Sequence, residues 1–161
     1  MKLAVLASVL ALSMSSAMAD EAPQLPLQYV DPNIPVEAAF VAWQTAVRTG
    51  DFEAYSAISN EQLNNLGLAA DQHETVLRQT LPLHRVSLPS GALMVTEPTV
   101  DVNGFTTFSV VGCRADKPVF ATVSASEVQH DWSLVVSPWR LWLTQAVTCP
   151  IPPAARPILA P

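Results

Sequence analysis

Apolar side chains recur at every third or fourth position between residues 36 and 47, and this spacing predicts an amphipathic helix. Asn33 is a residue type that caps helices, so we expect the helix to begin near Ile34-Pro35, with the proline tolerated in the first turn. Gly50 stands where a helix commonly ends in the left-handed conformation. The apolar stripe consists of Val36, Ala39, Phe40, Trp43, Ala46 and Val47.

A second helix is predicted directly after this stop. Asp51 can cap it, and Phe52, Tyr55 and Ile58 continue an apolar face at helical spacing. The segment AWQTAVRTGDFEAYSAI, residues 42–58, therefore predicts a helical hairpin with Trp43 and Tyr55 on its apolar sides.

A short turn and a third helix are predicted next. The turn contains Leu63 and Leu66 and is ended by Gly67. Asp71 followed by Glu74 has the spacing of a capping box. We expect the helix that they open to end near residue 80, because Pro82 disfavours helical backbone in the residue before it.

The pattern changes to strands after residue 93. MVTEPTVDV is β-prone but interrupted by Pro98, and Asn103-Gly104 is a strong hairpin-turn signal. Residues 105–113 and 119–126 are rich in β-branched and aromatic side chains, and WSLVV and WRLWLTQAV follow with a bend at Pro138. Helices first and antiparallel strands afterwards predict an α+β fold, with the N-terminal helices packed on one face of a curved sheet.

The N-terminal segment of the chain predicts export. Met1-Lys2, the apolar run of residues 3–12 and the Ala17-x-Ala19 pattern are typical of a signal peptide cut between Ala19 and Asp20. The alternative is a retained membrane anchor, but the run is shorter than the roughly 20 apolar residues that span a bilayer. We therefore predict a signal peptide (1–19), a proline-containing extended lead-in (20–34), one domain (35–149) and a proline-rich tail (150–161), in the periplasm or outside the cell, without stable membrane insertion.

Charge and cysteine content support this interpretation. Loss of Lys2 with the signal peptide would change the formal net charge from −6 to −7. No Lys/Arg run is present, so nucleic acid is not an expected partner. Cys113 and Cys149 are the two cysteines, and an even count in an exported chain predicts a disulfide. Two buried free thiols are the alternative.

The helical hairpin and the late tryptophan strands resemble the NTF2-like superfamily, nearest its SnoaL-like and DUF4440-type members, over residues 34–147. The residues that carry the resemblance are Ala42-Trp43, Ala46, Gly50-Asp51, Ala54-Tyr55, Asp131-Trp132 and Trp139-Arg140-Leu141. The resemblance implies a cone-shaped domain whose curved sheet wraps a helix and leaves a pocket at one end. It also implies that Trp43 and Tyr55 face this pocket and that two copies pair through the sheet as a homodimer.

The candidate site is an apolar pocket lined by Trp43, Tyr55, Phe108 and Trp132. Capping and the helix dipole account for Asp51 and Glu53. Of the histidines, we expect His73 on a solvated helix face, His84 near a strand start and His130 in a polar turn, and we expect Asp101 to be exposed beside the Asn103-Gly104 turn. No motif for a catalytic constellation, a metal site or a cofactor is present.

Three functions remain open at this stage. The first is a non-catalytic module that binds an apolar small molecule or a protein partner. The second is an isomerase, dehydratase or hydrolase on the same fold, which requires a buried acid or histidine beside a tyrosine. The third is a periplasmic immunity or inhibitor protein, whose acidic surface would suit a basic toxin.

Overall fold

The computed structural model describes residues 22–64 and 69–154. The predicted signal peptide, the Leu66-Gly67 turn and the last residues of the tail lie outside the described residues. The described part contains three helices and a seven-stranded antiparallel sheet that does not close on itself, so the α+β class is confirmed. The helices are α1 (Pro35–Thr49), α2 (Phe52–Asn64) and α3 (Ala70–Ser87).

The strands pair as a meander with additions at its sides. The main order is β1-β2-β4-β5-β6, while β3 pairs with β4 and β7 pairs with β5. The bounds are β1 (Gln28–Tyr29), β2 (Ser90–Val95), β3 (Thr99–Val100), β4 (Thr106–Arg114), β5 (Lys117–Val128), β6 (Asp131–Val136) and β7 (Arg140–Leu141). The lead-in therefore contributes β1, and only two residues of WRLWLTQAV form a strand.

The helical hairpin forms as its sequence predicts. Gly50 has a φ of 76°, and its N–H donates to Ala46 O at 2.9 Å, which ends α1. The Ala54 N–H donates to Asp51 Oδ1 at 3.0 Å, so Asp51 caps α2. The hairpin buries Trp43 and Tyr55 at 1% and 2% exposure, which places both aromatic rings in the interior.

Two predicted caps are wrong. Asn33 does not cap α1: the N-cap position is Ile34, and the Asn33 side chain donates to Asp31 Oδ1 instead. Asp71 and Glu74 form no capping box, because α3 begins earlier and the Ala69 N–H donates to Gln72 Oε1 at 2.9 Å. Glu74 pairs with Arg78, so its carboxylate is used along the helix.

The predicted end of α3 at residue 80 is also wrong, since the helix continues through Pro82 to Ser87. A proline leaves the carbonyl four residues before it without its usual donor. Pro82 lies on the exposed side of α3, where water can reach that carbonyl. Leu77 and Leu81 are buried on the other side, and their packing stabilises the helix beyond Pro82. His84, expected near a strand start, is therefore a helical residue.

Apolar residues are buried on both faces of the sheet. One face packs against α1, α2 and α3 around Phe40, Trp43 and Val110, and we call this the helix-side core. Because side chains alternate along a strand, Val111 faces the opposite side. There it joins a smaller group, the tail-side core, made of Val111, Cys113, Phe120, Trp142, Val147 and Ile151.

The C-terminal segment covers the tail-side core. The Cα atoms of Cys113 and Cys149 lie 5.7 Å apart, at disulfide distance, which is compatible with the predicted bond. Packing continues beyond this pair: Ile151 is buried, and Tyr29 Oη donates to Pro152 O at 3.0 Å. The first residues of the predicted tail thus belong to the folded part of the chain.

Candidate functional site

A cavity of about 510 Å³ lies between the helices and β6. Its deep end is formed by three buried side chains from three elements: Trp43 of α1, Tyr55 of α2 and Leu134 of β6. Leu83 and Pro138, both exposed, stand at its rim. The cavity therefore opens to solvent between α3 and the loop that follows β6.

Helix α3 supplies one complete wall. Residues three, four and seven apart share a helix face, so the side chains at these spacings point the same way. The residues of this wall are Val76, Leu77, Thr80, Leu83, His84 and Ser87. The opposite wall comes from Val135, Val136, Pro138 and Trp139. The continuation of α3 past Pro82 is what places His84 and Ser87 in the cavity.

A hydrogen-bonded pair sits at the deep end. Tyr55 Oη and Thr80 Oγ1 are 2.9 Å apart, and Thr80 Oγ1 also lies 3.3 Å from Leu77 O. With the single Thr80 proton directed at Leu77 O, the phenol donates to Thr80. Burial raises the pKa of Tyr55, and the Thr80 and Ser59 hydroxyls oppose this shift only in part. Tyr55 is therefore a neutral phenol at physiological pH.

His84 is the ionisable group of the α3 wall. Its ring lies edge-on to Trp43, with 5.1 Å between the ring centroids, and 6.2 Å from the ring of Tyr55. Burial lowers the pKa of His84. The imidazole is thus neutral near pH 7, with one nitrogen able to donate and the other able to accept a proton.

Two buried polar atoms of the lining residues have no hydrogen-bond partner in the described part of the chain: Ser59 Oγ and Trp139 Nε1. The Ser59 hydroxyl faces the Tyr55 phenol without reaching hydrogen-bond geometry. Buried polar groups in proteins are nearly always paired, so an unpaired group calls for an explanation. Both residues are over nine-tenths buried, which concentrates unused hydrogen-bonding capacity around this cavity.

The structure brings together two of the four residues predicted to line the pocket. Trp43 and Tyr55 are in the lining, with their ring centroids 6.3 Å apart. Phe108 is buried in the helix-side core, where its ring packs edge-on against Phe40 at 6.2 Å. Trp132 packs half-buried against the same core and does not line the cavity.

The histidines are placed differently from the prediction in two of three cases. His73 is 5% exposed and not on a solvated face, and its Nε2 atom has no partner among the described residues. His84 lines the cavity. The His130 side chain is fully exposed in the β5–β6 turn, as predicted, and Asp101 is exposed in its own turn, also as predicted.

Some polar residues were missed by sequence reasoning. Ser59, Thr80 and Ser87 line the cavity, and the signal for the last two was their four- and three-residue spacing from Val76 and His84. Glu37 lies elsewhere, completely buried in the first turn of α1. Its Oε2 accepts from the Asp31 N–H at 2.7 Å, and burial, the dominant effect, raises the pKa of this carboxyl.

Within residues 22–64 and 69–154, no three His, Cys, Asp or Glu side chains come together in a way that could hold a metal ion. The helices in these same ranges are too short or too polar to cross a membrane. No protein-family model, curated protein or solved structure matches this chain significantly. The NTF2-like assignment therefore stays a prediction.

Proposed function

We propose that this protein binds an apolar or amphipathic small molecule in the cavity between its helices and β6. The observation that carries the proposal is the cavity itself, whose volume of about 510 Å³ lies within the range of small-molecule sites. Its walls are mainly aliphatic and aromatic, with a few polar groups at the deep end, which is the usual composition of such sites.

The polar groups favour an uncharged ligand. Among the described residues of the lining there is no Asp, Glu, Lys or Arg, and His84 is neutral near pH 7. An ion placed there would lose its hydration without gaining a counter-charge. A hydroxyl or carbonyl group on the ligand could instead bond to the neutral hydroxyl and imidazole groups of Tyr55, Ser59 and His84.

The fold and the cellular location enter the proposal as supporting features. Helices that precede an antiparallel sheet, with a cavity between the two layers, support an NTF2-like domain of the cone-shaped type. The Cys113–Cys149 pair at disulfide distance, together with the lack of a spanning helix in the described ranges, is compatible with a periplasmic or secreted protein.

A titration followed by NMR tests the binding proposal. The probe is 2-naphthol, an apolar ring system with one hydroxyl, added to the isotope-labelled protein. We expect chemical-shift changes at Trp43, Tyr55 and His84. Val76→Trp, which fills the α3 wall, should abolish them.

Val86→Trp is the matched control, because Val86 lies on the same helix, is 80% exposed and is not part of the lining. Thermal unfolding of both variants checks that they fold. A folded Val76→Trp protein that binds 2-naphthol like the wild type would refute the proposal, and so would shift changes confined to residues outside the cavity.

Acid–base catalysis is the second candidate, favoured by one observation: a neutral His84 lies beside Tyr55 in an apolar cavity. In this mechanism the His84 imidazole takes a proton from carbon next to a substrate carbonyl, and the Tyr55 phenol turns its proton from Thr80 to the carbonyl oxygen. Proton abstraction of this kind is a first step common to isomerases and dehydratases.

Deuterium exchange distinguishes this candidate from simple binding. The probe is 2-acetylnaphthalene in D₂O, with exchange of its methyl protons read by mass spectrometry. Catalysis predicts exchange above the buffer rate that His84→Gln abolishes while the probe still binds. Exchange at the buffer rate with wild-type protein, or equal rates for both proteins, leaves binding alone as the function.

A further inference from the structure

A second cavity, of about 300 Å³, lies where the C-terminal ends of α1 and α3 meet the start of β2. Two arginines line it, one from each helix, and both are exposed to solvent. The complete lining is Arg48, Arg85, Leu88, Pro89, Ser90 and Gly91. None of these residues lines the 510 Å³ cavity, so the two sites are distinct.

The two guanidinium groups have no acidic partner among the described residues. This is not general for the chain, since Arg78 on the same helix pairs with Glu74 at 2.7 Å. The protein as a whole is acidic, with 14 Asp and Glu residues against 8 Lys and Arg. Two like charges sharing one cavity of an acidic protein repel each other unless a negative group joins them.

The Arg85 guanidinium packs over Gly50, where no side chain stands in its way. Its Nη1 atom lies 3.1 Å from the position that a Cβ atom would take on Gly50. A larger residue at 50 would therefore crowd the guanidinium. The opposite side of the cavity is open, because a Cβ atom on Gly91 would meet nothing within 4 Å. The cavity thus combines a guanidinium packed over Gly50 with free space at Gly91.

More positive charge lies close by. Arg114 Nη1 donates to Ser87 O at 3.3 Å, and Lys117 stands opposite Arg114 in the β4–β5 ladder. Asp116 belongs to the turn between them and forms no ion pair with a described residue. Folding thus gathers a basic group of residues that are far apart in sequence, which the absence of a Lys/Arg run could not reveal.

The partial negative charges at the helix ends offset only part of this positive charge. The C-terminus of a helix carries about half a negative charge, and α1 and α3 both end here. Arg48 and Arg85 would offset these partial charges, but two full positive charges exceed them. From this excess and the shape of the cavity, we propose that Arg48 and Arg85 bind a small oxyanion, either a phosphate or a carboxylate. A guanidinium presents parallel N–H donors that fit two oxygens of such a group.

The test uses the mature, disulfide-intact protein at constant ionic strength. Inorganic phosphate and acetate are titrated separately, followed by NMR of the arginine Nε–H groups and by calorimetry. We expect the Arg48 and Arg85 signals to move with at least one anion. Arg48→Gln and Arg85→Gln should each weaken that binding about tenfold, the loss of a charge-assisted hydrogen bond. Phosphate and acetate distinguish a tetrahedral from a planar ligand.

Arg78→Gln is the matched control, since it removes one arginine from α3 outside this cavity, and it should change the affinity less than about twofold. Arg85→Lys keeps the positive charge but loses the parallel N–H donors of the guanidinium, so this variant should bind with intermediate affinity. Absence of binding by the wild type, or an equal loss in all three Gln variants, overturns the proposal. A loss of stability in Arg48→Gln and Arg85→Gln without any anion binding also overturns it, because the arginines then serve only the helix ends.

Discussion

The two faces of the sheet are closed in different ways. Three helices cover one face, and a cavity of about 510 Å³ remains between them and β6. An irregular segment around residues 142–151 covers the other face, and no residue of the tail-side core lines either of the two cavities. A helix is a rigid rod that meets a sheet along a narrow stripe, whereas an irregular chain can follow the surface residue by residue. This difference supports our proposal that a ligand binds on the helix-covered face.

The two faces also differ in how they are held. On the helix side, large aromatic rings pack together, with the Phe40 and Trp43 centroids 5.7 Å apart. On the tail side, Cys113 of β4 and Cys149 of the covering segment lie at disulfide distance. Burial stabilises both faces, and the second face has in addition a cysteine pair at disulfide distance.

Two phenylalanines give the largest test of this difference. Phe40→Ala removes a completely buried ring from the helix-side core and should lower the free energy of unfolding by about 3–5 kcal/mol. Phe120→Ala, in the smaller tail-side core, should lower it by less, about 2–3 kcal/mol, because the covering segment can settle into the space. Urea unfolding measures both.

Leu143→Ala is the control for this pair, since Leu143 is 89% exposed, and the substitution should change stability by less than about 0.5 kcal/mol. Equal losses for the two phenylalanine variants would show that the two cores are equally rigid and would contradict the comparison.

Replacement of both cysteines has the next largest expected effect. The pair closes a loop with a sequence separation of 36 residues, and Cys113→Ser with Cys149→Ser should lower the free energy of unfolding by about 3–4 kcal/mol. Amide hydrogen exchange should then show lost protection at Val111 and Trp142. The protection of α1 should fall only with global stability.

Single replacements of Cys113 or Cys149 should destabilise as much as the double replacement, because each alone removes the connection. A double variant as stable as the wild type would mean that packing of the segment alone closes this face.

The element types were predictable because their signals are local. Helical spacing, Gly50 and Asp51 specify the first hairpin, and the Asn103-Gly104 turn and β-branched residues specify the sheet. The errors came from competition between local and tertiary effects. Pro82 is a strong local stop, yet buried Leu77 and Leu81 carry α3 past it. At Ala69, the glutamine three residues on provides the hydrogen bond expected from Glu74.

The cavity was predictable only in part. The helical hairpin predicted Trp43 and Tyr55 on apolar faces, and the resemblance implied that they face a pocket. Leu83, His84 and Ser87 lie beyond the predicted end of α3 at residue 80, so one wrong helix end removed half of the α3 wall. The pairing of Arg48 with Arg85 has no local signal at all, since it needs two helix ends to meet in space.

The two tyrosines of the chain sharpen the comparison at a smaller scale. Tyr55→Phe removes the buried hydrogen bond to Thr80 and should lower the free energy of unfolding by about 1 kcal/mol. Thr80 keeps Leu77 O as its acceptor, so no donor is left unpaired. Tyr29→Phe removes a bond to Pro152 on the tail side, where solvent replaces it, and should cost less than about 0.5 kcal/mol. Thermal and urea unfolding measure both variants. A larger loss of stability in Tyr29→Phe than in Tyr55→Phe would contradict the expectation.

The smallest expected effect is a pH dependence that belongs to the helix side alone. Burial holds the pKa of folded His84 below its ordinary value of 6.5. As pH falls through 6.5 the unfolded chain takes up the proton first, so the free energy of unfolding decreases from there down to the folded pKa. His84→Gln should flatten this decrease. His130→Gln is the control, because that side chain is fully exposed and lies outside the cavity. Glu37, whose pKa is raised, has the opposite effect: it makes the free energy of unfolding increase as pH falls toward 4.5. This contribution is common to all three proteins and cancels in their differences. Urea unfolding between pH 5 and 7 measures how the free energy of unfolding depends on pH. Equal dependence in the wild type and His84→Gln would show that water reaches the imidazole freely. The cavity would then be far more open than its buried floor of Trp43 and Tyr55 indicates.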